Sequence, residues 1–217
     1  MKYIIANWKM NMSMGDILKW EEQFDLKDSL EKVKIIVAPS QPHLLPVAEM
    51  FKNTAIETAS QDVSLEKKGA HTGETGAFQI KEICAYSIVG HSERKETSGK
   101  VMKKIRRCLE NGVTPIVCFV EPEKIKKYIK PGVIFAWEDP ANISKEGVYK
   151  EKDPQEIIEG VKEIRKILPK NEPLIYGGSV NRQNVGNLVN IDGLDGVLAG
   201  NASLDPEHFA EIVRAYL

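Results

Sequence analysis

Short apolar runs rich in β-branched residues recur along the chain. Each stops at Gly, Pro, Ser or Asn and gives way to a segment whose apolar positions fall three and four apart. The runs predict strands at 2–8, 34–39, 55–61, 85–91, 113–119, 133–139, 173–179 and 194–200. Among the intervening segments, 153–168 and 205–217 both open on Asp-Pro, a helix-start signature, and then carry apolar residues at helical spacing. Strands this continuously apolar belong in a parallel sheet covered on its outer face. Eight such β/α alternations, with no composition shift or linker, predict one domain over 1–217 of the α/β class, a closed (β/α)₈ barrel. An open, doubly wound sheet is the alternative. The G-x-G-x-x-G fingerprint expected after its first strand is absent.

Composition narrows the function. The 217 residues carry 30 basic and 31 acidic side chains, a formal charge of −1, so nothing draws the whole molecule to nucleic acid or an anionic membrane. An anion site must therefore be local. Cys84, Cys108 and Cys118 lack C-x-x-C or zinc-ligand spacing and read as inert thiols in a reducing compartment. The opening "MKYIIANWKMN" is broken by Asn7 and Lys9 and is no signal peptide, and no run reaches membrane-spanning length. A cytoplasmic location is expected. The basic run 100–108 reads as a solvated helix face.

In a barrel the reactive groups stand where strands end. Strand one ends with Asn7 and Lys9, strand four with His91 and Glu93, and strand six with Glu138. Strand seven ends with Gly177, Gly178 and Ser179, and strand eight with Gly200 and Asn201. Each has an ordinary explanation: a solvated rim charge, a capping residue, a turn. In "SIVGHSERKE" (87–96), for example, Ser92 reads as the N-cap of a helix. Taken together, the two glycine-bearing turns, each expected to open a helix, suit a phosphate ester. A carboxylate, an imidazole and an ammonium without a metal-ligand cluster suit proton transfer beside a carbonyl.

The motifs "NWKMN" (7–11), "GAHTGE" (69–74), "GHSER" (90–94), "AWE" (136–138), "YGGSV" (176–180) and "DGVLAGNASL" (195–204) are similar to those of the triosephosphate isomerase family. They occur in that family's order and over nearly the whole chain. The resemblance implies a glycolytic and gluconeogenic aldose–ketose isomerase, acting on triose phosphates without cofactor or metal. By the same resemblance Glu138 is the base and His91 the neutral electrophile, its pKa depressed by a helix starting at Ser92. Lys9 is the cation, Asn7 a donor on the carbonyl side, and Glu93 a supporting carboxylate. Asn7, Lys9, Ser144, Ser179, Gly200 and Asn201 are implied as substrate- and phosphate-binding positions. Ile143 and Leu198 are implied as the apolar clamp of a lid. Thr72, in the 66–74 loop, is implied to reach the Asn7 and Glu93 of a second subunit, making the protein at least a homodimer.

Three departures from the family pattern accompany the match. The lid, usually Glu-Pro-x-x-x-Ile-Gly-Thr-Gly, reads "EDPANISKEG" (138–147), with Asp139 for Pro and Ser144 for Gly. A carboxylate beside the base is expected to raise the base's pKa and to oppose a dianion. Asn201 stands for a frequent Gly. The chain is also short between 123 and 133, leaving a fifth helix of only a few turns. The competing reading is a phosphate-ester-binding or scaffold barrel whose altered lid has lost turnover.

Overall fold

The computed structural model describes residues 1–26, 31–142, 148 and 150–217. Eight parallel strands close into a barrel in chain order. They are β1 (Lys2–Asn7), β2 (Val33–Ala38), β3 (Ile56–Ser60), β4 (Tyr86–Val89), β5 (Thr114–Phe119), β6 (Ile134–Trp137), β7 (Leu174–Tyr176) and β8 (Gly196–Ala199). Closure is made by β1, which pairs with β2 on one side and β8 on the other. Every strand expected from the apolar runs is present; β2 is shifted by one residue at the same length, and the others are shorter by a residue or more.

The helices are α1 (Met14–Gln23), α2 (Leu44–Phe51), α3 (Ala77–Lys81), α4 (Ser98–Glu110), α5 (Pro154–Arg165), α6 (Val185–Leu188) and α7 (Pro206–Arg214). Their starts follow local chemistry. Ser13 and Asp16 form a reciprocal capping box at α1. Asp153 accepts from the Gln155 N–H at 2.8 Å and Asp205 from the His208 N–H at 2.7 Å, with Pro at the first helical position of α5 and α7. Between β5 and β6 the expected short helix is replaced by a 3-10 turn, Pro122–Lys127. Ile125 and Tyr128 are buried there and cover the wall where a helix would otherwise pack.

Strand alternation sorts side chains into two shells. Ile5, Ile36, Ile88, Ile116, Ile134, Ala136, Ile175 and Leu198 fill the lumen. Ile4, Val37, Phe135, Tyr176 and Val197 face the helices, in an outer shell that also holds Trp20 and Phe209. Full burial of Phe135 and Phe209 stabilises by roughly 2–3 kcal/mol each. Trp8 and Trp20 are buried with both indole N–H groups donating to the Ser203 carbonyl, at 3.2 and 3.0 Å, which ties β1 and α1 to the end of β8. The same alternation carries the lumen side past the strand ends. Ile5 leads to Asn7, Ala136 to Glu138, Ile175 to Gly177, and Leu198 to Gly200. No helix among the described residues is long and apolar enough to cross a membrane.

Candidate active site

A narrow cleft at the carboxyl ends of the strands is lined by Lys9, His91, Glu138, Gly177, Ser179, Val180, Leu198 and Gly200. Strand ends far apart in sequence thus converge on one mouth. Lys9 sits in a left-handed conformation, φ 50°, which costs an L-residue about 1–2 kcal/mol. The surroundings hold it there. Asn7 Oδ1 accepts the Lys9 N–H at 3.2 Å, and Gln61 Nε2 donates to the carbonyls of Lys9 and Ala38, both at 2.8 Å. The ammonium lies 2.7 Å from Glu93 Oε1. Asn7 and Glu93 therefore stand behind Lys9, one at its backbone and one at its charge.

His91 reaches the mouth because Gly90 turns the chain at φ 73°. A Cβ at Gly90 would come within 3.0–3.3 Å of Val101 and the Cys118 carbonyl, so glycine is required by space as well as by angle. The helix expected at Ser92 is instead a three-residue 3-10 turn, Ser92–Arg94, and α4 begins only at Ser98. The cap is His91 itself: its Nδ1 accepts the Glu93 N–H at 3.3 Å. That contact favours a bare Nδ1, with the ring proton on Nε2, which lies 3.1 Å from Glu138 Oε1.

Glu138 is buried, and its second oxygen accepts the Ser92 N–H at 3.3 Å. Burial alone would raise its pKa, but His91 and the Ser92 contacts outweigh burial and hold the carboxyl below its usual range. For His91 burial presses downward and Glu138 outweighs it, so the imidazole is raised. Both directions differ from expectation, and the cause is the same: base and imidazole pair with each other. The Glu93 amide still points at Nδ1 and favours the neutral ring.

Asp139 does not press on the base. Alternation turns it to the helix side of β6, where Lys152 lies 2.8 Å away and holds its carboxyl low despite burial. The Cβ of a residue replacing Gly177 would come 3.0 Å from Glu138 Cγ, so this glycine leaves room for the base.

The phosphate side departs from expectation in detail. Ser179, at φ 46°, is followed by a loop before α6, and Gly200 by the four-residue 3-10 turn Asn201–Leu204, so neither turn opens directly into an α-helix. The backbone is fixed by polar bonds instead. Asn181 and Asn184 both donate to the Ser179 carbonyl at 3.0 Å, and Ser203 Oγ donates to that of Gly200 at 2.7 Å. Ser179 Oγ accepts the Lys150 N–H at 3.1 Å. Leu198 is buried in the cleft lining, and Asn201 follows Gly200 at the rim. Thr72 is exposed on the 66–74 loop, outside the lining. Ile143 and Ser144 lie outside the described residues.

Gln61, Asn181 and Lys152 escaped the sequence reading. Only Asn181 left a trace, since Asn-x-x-Asn before an apolar run resembles capping chemistry. The basic run on α4 is not wholly a solvated face either. Lys104 is buried between Asp62 and Glu96, at 2.5 and 2.6 Å, and holds the approach to the 66–74 loop against α4. The three cysteines are buried, with burial pushing Cys84 up to about 11 and Cys108 to about 12. Among the described residues, no three His, Cys, Asp or Glu side chains gather as a metal site.

Comparison with known proteins adds an independent line. Residues 2–216 match the family model described as triosephosphate isomerase. A protein of that name from Aquifex aeolicus is 33% identical over 245 aligned positions, covering 99% of each chain. One from Dehalococcoides mccartyi is 31% identical, covering 97% of this chain and 94% of its own. Another, from Thermus thermophilus, is 31% identical, with 97% of each chain covered.

Proposed function

The chain belongs to the triosephosphate isomerase family, and from that premise we propose that it interconverts dihydroxyacetone phosphate and D-glyceraldehyde 3-phosphate through an enediolate. The barrel acts as one catalytic domain. Glu138 removes the proton from the hydroxyl-bearing C1, and the bonding pair moves toward the C2 carbonyl, whose oxygen takes the charge. His91, through its Nε2–H, and the Lys9 ammonium stabilise that oxygen, a division of roles already established for triosephosphate isomerases. A proton passes between the two oxygens, and Glu138 returns its own to C2. Asn7 and Glu93 hold Lys9. Ser179, Gly200 and Asn201 take the phosphate, joined by Ser144, and Ile143 with Leu198 encloses the base.

The observation that carries this reading is the convergence of Glu138 and His91, at 3.1 Å, in a cleft that also holds Lys9 and the rim of Ser179 and Gly200. The test is a coupled assay in both directions, with Glu138→Gln as control. Turnover that falls by about 10³-fold in the variant supports the assignment. Phosphate-ester binding without turnover in the unaltered protein overturns it in favour of a scaffold.

A homodimer is part of the proposal. The exposed 66–74 loop and Met10, 93% exposed and next to Lys9 in the chain, offer surface for a second copy. In that assembly Thr72 reaches the partner's mouth. Sedimentation at micromolar concentration should give twice the chain mass, and a monomer there refutes it.

A further inference from the structure

The residue next to the base and a lysine thirteen positions on meet in an ion pair that the proposed reaction does not use. Lys152 Nζ lies 2.8 Å from Asp139 Oδ2, with the two side chains 17% and 27% exposed. The same ammonium is 3.5 Å from Glu156 Oε2 and 5.9 Å from the centre of the Trp137 ring. Asp139 Oδ1 is occupied as well, accepting the Ala141 N–H at 3.0 Å. Both oxygens are thus anchored on the side of β6 that Trp137 faces. The lumen side carries Ala136 and Glu138.

A carboxylate at this point of the chain is an electrostatic liability. A phosphate ester brings about two negative charges at neutral pH, and Glu138 must keep a third to act as base. From these positions we propose that Lys152 is a positioning residue for the isomerisation, holding the Asp139 charge on the helix side of β6 and away from the dianion. The inference rests on the phosphate-ester reading above. It is a claim about where the charge is held, not about stability.

Kinetics on Lys152→Met, Asp139→Asn and the double variant test it, with inorganic phosphate as competitive inhibitor. A unit charge released at roughly 10 Å from a dianion in a partly solvated site lowers kcat/KM by about five- to tenfold. Lys152→Met is expected to show that loss together with weaker inhibition by phosphate, both shrinking as salt screens the charge. Asp139→Asn keeps the Oδ1 acceptor without the charge and is expected near wild type. The double variant is the deciding arm. It lacks the ion pair but also lacks the charge, so recovery to near wild-type kinetics supports containment. A double variant as impaired as Lys152→Met makes the pair a mere strut and overturns the proposal, as does an unaffected Lys152→Met. Lys152→Arg, which keeps the cation, retains activity if containment is the role. Wild-type turnover is measured first. Its absence removes the isomerase reading, whereas its presence beside an unaffected Lys152→Met removes only the role of Lys152.

Discussion

The two ends of this barrel use the same residue types for opposite purposes. At the amino-terminal foot, Lys34 bonds Glu57 at 2.6 Å and the Tyr86 hydroxyl at 3.2 Å. Arg165 donates to Asp195 at 2.6 Å and to the carbonyls of Gly193, Pro169 and Glu172 at 2.8–3.1 Å. A hollow lies beside Arg165, far larger than the cleft at the mouth. Size is not what makes a site. The foot's charges join elements of the framework and leave little over, whereas at the mouth Lys9, His91 and Glu138 are aimed into one small space.

This contrast can be broken by experiment. The largest effect belongs to the mouth: Lys9→Met should lower kcat/KM by about 10²–10³-fold with the melting temperature nearly unchanged, because the lost partner, Glu93, is 54% exposed. Substantial loss of stability instead would make Lys9 a framework residue. Next comes the foot. Arg165→Met should destabilise by about 2 kcal/mol, as hydrogen bonds to a charged donor are lost, while kcat/KM stays within about twofold of wild type. Urea unfolding and the coupled assay on the same variant give both numbers. The smallest effect concerns pH. The raised pKa of His91 contributes stability that is full below its ordinary 6.5 and fades as pH rises through the folded value. The lowered pKa of Glu138 contributes above its ordinary 4.5 and fades as pH falls through the folded value. His91→Asn should therefore cost most between these ordinary values and less at pH 9. Urea midpoints at pH 5.5 and 9 check the sign.

How much of this was legible in the sequence depended on range. The strands were plain, because parallel strands buried on both faces leave continuous apolar runs such as "KIIVAP". The mouth followed from where those runs stop. Local turn chemistry was harder: "GHSER" reads as a helix start, yet the ring of His91 takes the capping role that Ser92 was expected to fill. Pairings across the chain were invisible. Nothing near Asp139 announces Lys152, and nothing near Gln61 announces the carbonyls of Lys9 and Ala38. Such contacts are fixed by closure of the barrel, and a linear pattern carries no signal for them. Between β5 and β6 the shortage of residues was visible, but the short helix expected there is instead a 3-10 turn with Ile125 and Tyr128 buried.

The alternation along β6 has a consequence for how this chemistry is encoded. Glu138 and Asp139 are adjacent acids, and only odd or even counting decides which of them meets the substrate. One extra residue inserted early in β6 would leave charge and composition almost untouched, yet it would hand Trp137 and Asp139 to the mouth and send the base among the helices. Natural variants or designs of this scaffold should therefore tolerate many changes of letter in that strand and almost no change in its length.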